Sequence, residues 1–236
     1  MATSNSYDWT LTRSEVISGA LRKLGVLASG TAPSTDQTND AASALNALIK
    51  AFHADGMPVW AIVNTNFTVT NGTASYTIGP TLTISTAAAP LKVLQATRTL
   101  VGESAVPLNL IDRYDYNLLP NTASGIPVSL YYQPTISDGV GTGVIKLWPT
   151  PNDSTTVITL NYQRPFSDVD SANDNLDFPS YWMQALIYNL AWSLAPEYGT
   201  PPNDRTLIQK EAIYWKDQAL SYGTEEGSIY LEPARQ

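Results

Sequence analysis

The chain has no cysteine and a single histidine, His53, in 236 residues. Without thiols there are no disulfides and no thiolate metal sites, so the fold rests on packing and hydrogen bonds. With one imidazole, a nucleophilic triad has only His53 to act as its base. That residue lies near the end of a helix-period stretch, and no orienting partner can be named for it. A helix-end imidazole, favoured by the dipole when protonated, is the plainer reading. Charge is sparse as well: 14% of residues are charged against 43% hydrophobic. That balance suits a folded chain much of whose surface is covered by something. Basic residues number 13 against 21 acidic, for a net charge of −8. A sequence-independent grip on DNA needs a basic stripe, which this balance argues against. DNA passing nearby stays compatible, because a like-charged wall repels phosphate and prevents sticking. The first residues, MATSNSYDW, hold neither a basic nor an apolar stretch, so no secretory signal is expected. Repeats of roughly 20–50 residues and low-complexity tracts are also missing.

The most apolar stretch is FPSYWMQALIYNLAWSLAPEY, residues 178–198, which has no formal charge before Glu197. Ser180, Gln184, Asn189 and Ser193 recur every four or five residues and are expected to form one narrow polar stripe. Trp182, Met183, Leu186, Ile187, Leu190 and Leu194 cover most of the remaining circumference. A helix apolar nearly all round is buried on nearly all sides. The site-level expectation is therefore a helical core of Trp182, Leu186, Leu190 and Leu194. Pro179 suits the first turn and Pro196 the last. An apolar run of roughly 20 residues can also span a bilayer. Gln184 and Asn189 in mid-segment and the acidic flanks Asp177 and Glu197 oppose that, and Arg164 and Arg205 are too distant to anchor the ends. A core helix, not a membrane span, is expected.

Residues 1–10 read as a flexible or docking arm with Tyr7 and Trp9 as anchors. Thr12 to Glu15 reads as a capping box, followed by the face Val16, Ile17, Ala20, Leu21 and Leu24 and a stop at Gly25. Thr35 or Asp36 caps a second helix with the face Ala41, Ala44, Leu45, Leu48, Ile49 and Phe52, ended by Gly56. From Val59 to about Tyr162 the period becomes two, with turn residues every ten or so. Strand candidates are VWAI (59–62), FTVT (67–70), SYTIG (75–79), TLTIS (81–85), KVLQATRTL (92–100, the longest), VSLYYQ (128–133), GVIKLWP (143–149) and TVITLNYQ (156–163). Asn71-Gly72 signals a hairpin between FTVT and SYTI, and residues 111–116 a short helical turn. Residues 167–177, SDVDSANDNLD, read as an acidic linker. Arg205 to Tyr222 forms the last helix, with Leu207, Ile208, Ala212, Trp215, Ala219 and Leu220 on its face and Gly223 as its stop. The expected fold class is α+β: a four-helix core from N- and C-terminal helices, with an inserted small antiparallel β-sandwich or barrel. Its parts are 1–57, a helical hairpin; 58–166, the β insertion; 167–223, the second helical pair; and 224–236, an extended tail holding Ile229, Tyr230 and Leu231.

Chemistry is hard to find. Asp168, Asp170, Asp174 and Asp177 lack the spacing of a calcium loop, which favours a solvated linker. Glu103 and Glu211 are among the acids available to a glycosidase, but nothing brings two together. Asn71-Gly72-Thr73 fits a glycosylation acceptor and, more simply, a turn. Gly139, Gly141 and Gly143 precede a strand and read as a hairpin turn, not a phosphate loop. Tyr131, Tyr132, Trp148 and Tyr162 could stack bases or sugars, though alternating strand aromatics are more often core or cross-strand pairs. No catalytic, cofactor or metal residue is assigned, which points to an interaction or structural protein. The alternatives are a cell-wall glycosidase of muramidase type and a carbohydrate-binding module.

An ordered series of segments carries a resemblance. ALRKLGVL (20–27), DAASALNALIKAFHADG (40–56) and VWAI (59–62) are followed by DRYDYNLLPN (112–121), GIPVSLYY (125–132), IKLWPTP (145–151), LNYQRP (160–165) and DFPSYWMQALIYNLAWSLAPEYG (177–199). Together they resemble the head-to-tail adaptor proteins of short-tailed bacteriophages, the head completion or packaged-DNA stabilisation type, over most of residues 10–222. The resemblance implies a virion structural protein, assembled in the host cytoplasm, that forms a ring of twelve copies beneath the portal protein; some relatives are credited with cell-wall hydrolysis, but no constellation here would carry it, so no enzyme is expected. Such a ring extends the DNA channel, lets DNA pass without specific binding, and offers a platform for the tail nozzle protein. It also implies that the C-terminal extension reaches the portal, with Ile229, Tyr230 and Leu231 as docking anchors. No cofactor is implied.

Overall fold

A computed structural model describes residues 9–52, 61–120, 122–137 and 140–222. The fold class is α+β. Among the described residues the α-helices are α1 (Arg13–Lys23), α2 (Thr35–Phe52), α3 (Arg113–Leu118), α4 (Met183–Leu194) and α5 (Pro202–Tyr222). Two compact units emerge: residues 1–59 with 166–236, and residues 60–165.

In the helical unit, α4 packs on α1, α2 and α5. A 3-10 turn, Ser180–Trp182, leads into it, and Pro179 stands before that turn in an extended conformation. α4 ends at Leu194, two residues before Pro196, and the chain continues in turns to Gly199 at φ 61°. The regular helix is thus shorter than the apolar run. Trp182, Met183, Leu186, Leu190 and Leu194 are all buried. The expected polar stripe does not form. At 100° per residue, Asn189 stands about half a turn round from Ser180, and it is buried. Its Nδ2 donates to the Ala185 carbonyl at 2.8 Å and to the Ala212 carbonyl of α5 at 3.1 Å. A buried amide needs such partners, because an unpaired one costs about 1–3 kcal/mol. Exposed Tyr181, Gln184, Trp192 and Ser193 make up the surface side instead, with Tyr188 half-buried.

The other helices are placed by their caps and apolar faces. Thr12 and Glu15 make the expected capping box, and Val16, Ile17, Ala20 and Leu21 are fully buried. Gly25 takes φ 72°, a left-handed position that glycine adopts without strain. α2 is capped by Ser34, not by Thr35 or Asp36. Its Oγ accepts from Gln37 N at 3.2 Å, while Gln37 Oε1 accepts from Ser34 N at 2.9 Å. Ala41, Leu45, Ile49 and Phe52 face the core, with Ala44 and Leu48 half-buried. The expected stop at Gly56 lies outside the described residues. α5 starts at Pro202, three residues earlier than the period suggests, because proline fits a first turn. It buries Ile208, Ala212 and Ala219 only. Leu207, expected inside, is 62% exposed.

The β unit contains β1 (Ile62–Thr68), β2 (Ser75–Gly79), β3 (Ile84–Ser85), β4 (Lys92–Thr99), β5 (Val106–Pro107), β6 (Asn109–Leu110), β7 (Ser124–Gly125), β8 (Ser129–Ser137), β9 (Val140–Trp148), β10 (Thr150–Pro151) and β11 (Val157–Gln163). β10 and β7 form a small two-stranded sheet of their own, and the two larger sheets run β1-β11-β4-β5 and β3-β2-β9-β8-β6. Side chains from both fill one core around Ile78, Ala96, Leu130, Ile145, Leu147, Ile158 and Leu160. The long pairs are antiparallel, whereas the two-residue strands β3, β6, β7 and β10 pair in parallel. Of VWAI only Ala61 and Ile62 are described, and Ile62 opens the same strand, β1, that takes in Phe67 and Thr68 of FTVT. Only Ile84 and Ser85 of TLTIS are strand, and β8 and β9 exceed β4 in length.

Asn71-Gly72 makes a turn but not a hairpin, since β1 pairs with β11 and β2 with β9. The chain crosses from one sheet to the other here. Gly72 sits at φ 77° and donates to the Pro151 carbonyl, and Tyr76 Oη donates to the Thr73 carbonyl at 2.8 Å. These side contacts, invisible to a dipeptide rule, redirect the strand. The neighbouring loop is closed by Asp153, whose carboxylate accepts from Thr155 N and Thr156 N, each at 2.7 Å, and from Thr156 Oγ1. Those bonds, led by the one from Thr155 N, hold its pKa below the usual 3.8. A depressed carboxyl pKa stabilises above the unfolded value and loses that contribution as pH falls through the folded one. Asp153→Ala is therefore expected to lower stability at pH 7 by about 1 kcal/mol. In denaturant titrations the variant and parent should converge as pH drops below 3.8; a gap unchanged at low pH would contradict the assignment.

Candidate interaction surfaces

The acidic stretch 167–177 is a strap tied to the helical unit, not a solvated linker. Val169 and Leu176 are buried. Asn46 of α2 accepts from Val169 N at 3.1 Å and donates to the Val169 carbonyl at 3.3 Å. The Arg13 guanidinium donates to the Asp170 carbonyl at 2.8 Å, and Ser14 to the Ala172 carbonyl at 2.8 Å. The carboxylates serve this backbone: Asp174 accepts from Asp170 N and Ser171 N, Asp177 accepts from Ser167 N, and Asp168 pairs with Lys50. Among the described residues no three His, Asp or Glu side chains are arranged to hold a metal ion.

Acid–base chemistry fares no better. Glu103 belongs to the β unit and Glu211 to the helical unit, where Glu211 accepts from the Trp215 indole at 3.1 Å. Glu15 and Asp153 are held below their ordinary pKa chiefly by backbone hydrogen bonds. A glycosidase acid needs the opposite shift. His53 lies outside the described residues. Nor do the aromatics offer a sugar platform. Tyr131 and Tyr162 are buried, and Trp148, half-buried, donates its indole N–H to the Pro120 carbonyl at 3.1 Å. Tyr132 donates to the Pro90 carbonyl, and burial pushes its pKa up to about 12. Gly143 lies within β9 and makes room for that ring: a Cβ there would fall 2.5 Å from Tyr132 Cε2. Gly141 is in the same strand, and Gly139 lies outside the described residues.

What the surface does offer is apolar area. On α5, Leu207, Ile213 and Tyr214 are 62%, 48% and 54% exposed, opposite the buried Ile208 and Ala212. The sequence period concealed this, because apolar residues occupy both sides of α5. The available signal was Ile213-Tyr214 directly after Ala212, a run that cannot all face inward on a helix. A groove of about 500 Å³ runs beside α1 and α4, lined by Trp9, Leu11, Glu15, Gly19, Arg22 and Ile187. In the β unit, Val101, Val106, Leu110, Tyr114, Leu118 and Ile126 are exposed within one excursion that carries α3 and the edge strands β5 and β6. Where such side chains form a contiguous patch, the surface is of the kind that meets other proteins.

Against known proteins, residues 11–225 match the SU10 adaptor protein family, a span that takes in both units. The chain belongs to that family. No curated protein matches it. SU10 adaptors are phage head–tail adaptors, so the role is that of a structural virion protein. No helix among the described residues is long and apolar enough to cross a membrane. Ile229, Tyr230 and Leu231, the expected docking anchors, lie outside the described residues. If the outer face of α5 serves contact and not the adaptor's own folding, Leu207→Ser and Tyr214→Ser should each change unfolding free energy by less than about 0.5 kcal/mol. A loss of several kcal/mol in denaturant titrations would show instead that these side chains are packed within the subunit.

Proposed function

We propose that this adaptor forms a closed ring, of twelve copies, beneath the portal protein of a short-tailed phage. The ring extends the DNA channel and carries the tail nozzle protein. The single observation that supports the reading is the family match across residues 11–225. The physics is compatible with it. A ring joins copies head to tail through two different surfaces that close by rotation, and the helical unit exposes apolar area on α5 and beside α1. Each subunit brings a net charge of −8, and acidic lumen walls would let DNA slide without adhering. The mechanism is geometric: ring closure, docking and a sealed conduit, with no bond made or broken.

In this reading the tail, residues 224–236, reaches into the portal with Ile229, Tyr230 and Leu231 as anchors. Truncation after Gly223 should leave the melting temperature unchanged and weaken co-sedimentation with purified portal rings. Undiminished binding of the truncated protein would contradict the assignment of the tail.

A further inference from the structure

Two exposed helix faces of the helical unit carry complementary groups at the same spacing. On α1, Glu15, Ser18, Gly19 and Arg22 share the outer face and line the groove beside α4. On α5, Lys210, Ile213, Tyr214 and Asp217 share the outer face and are all exposed. In each set the members follow at intervals of three, one and three residues. The outer pair in each set is separated by seven residues, about 10.5 Å of helix rise, and returns to nearly the same side of the helix. Among the described residues Arg22, Lys210 and Asp217 have no ion-pair partner.

We propose that neighbouring copies join by laying the outer face of α5 from one copy, parallel, along the α1–α4 groove of the next. This rests on the ring reading above and names its contact. In parallel register Lys210 meets Glu15 and Asp217 meets Arg22, with Tyr214 beside Ser18 and Ile213 beside Gly19, because facing parallel helices bring opposite flanks together. Gly19 lets the Ile187 side chain of α4 close over α1, since a Cβ there would come within 3.3 Å of it. Leu207, one turn before Lys210, lies level with Thr12, at the end of the groove that Trp9 and Leu11 line. The antiparallel register would oppose Lys210 with Arg22 and Asp217 with Glu15, so charge selects the direction. Because α1 and α5 both pack on α4 with these faces turned outward, a subunit offers each surface to a different neighbour. That is what a head-to-tail contact requires.

The chain has no cysteine, so introduced thiols report the contact cleanly. Full-length protein carrying both Ser18→Cys and Tyr214→Cys should give a ladder of disulfide-linked oligomers on oxidation, alone or on purified portal. Either substitution alone should stay uncrosslinked, and a mixture of the two single variants should stop at dimers. Independently, Arg22→Glu or Asp217→Arg should each weaken association roughly fivefold per contact, and the combined R22E/D217R chain should recover it. Circular dichroism melts confirm that each variant is folded. Oligomers that form without a ladder and without charge-swap recovery overturn this contact and leave the ring standing. Self-crosslinking of a single variant overturns the head-to-tail direction. A chain that stays monomeric both alone and on the portal overturns ring and contact together.

Discussion

A helix without charge must be covered, and that requirement organises the helical unit. α4 has eight of its twelve residues buried. A buried leucine is worth about 1.5–3 kcal/mol of transfer free energy, so leaving this surface in water is not an option. The partners that cover it come from both ends of the chain, α1 and α2 before the β unit and α5 after it. The β unit is consequently an insertion between residues 59 and 166. Asn189 fits the same logic: its amide is admitted to the core because it joins α4 to the backbone of α5.

Several polar and charged residues near this core are occupied by the backbone. Arg13, Asn46, Asp174 and Asp177 fasten the 167–177 strap, and Glu15 caps α1. Their hydrogen bonds satisfy chain ends and loops that would otherwise need water. The Glu15 carboxylate, held this way, favours its ionised form, the wrong state for donating a proton. Chemistry and scaffolding compete for the same side chains, and here scaffolding has them.

Much of the helical unit was legible in sequence because period, caps and glycine stops agree. The Thr12–Glu15 box, the faces of α1 and α2, and Gly25 follow from local rules alone. Local rules failed where a distant partner decides. Asn71-Gly72 has hairpin chemistry, but β2 finds β9, and the turn is held by Pro151, Ser154 and Tyr76 from elsewhere in the unit. Ser34 was overlooked as a cap because Thr35 and Asp36 are equally good candidates on paper. The α5 face was misread at Leu207 because apolar residues there serve two sides of one helix. That ambiguity is itself informative, since a helix apolar on both sides has a second surface to cover.

Composition, family and surface agree on a protein that works by fitting against neighbouring proteins of the virion. The most direct measurement is electron cryo-microscopy of the adaptor bound to its portal. The account predicts a closed ring whose subunits bury the outer faces of α1 and α5 against each other, with the 167–177 strap unchanged. Isolated subunits on the portal, with both faces bare to solvent, would contradict it.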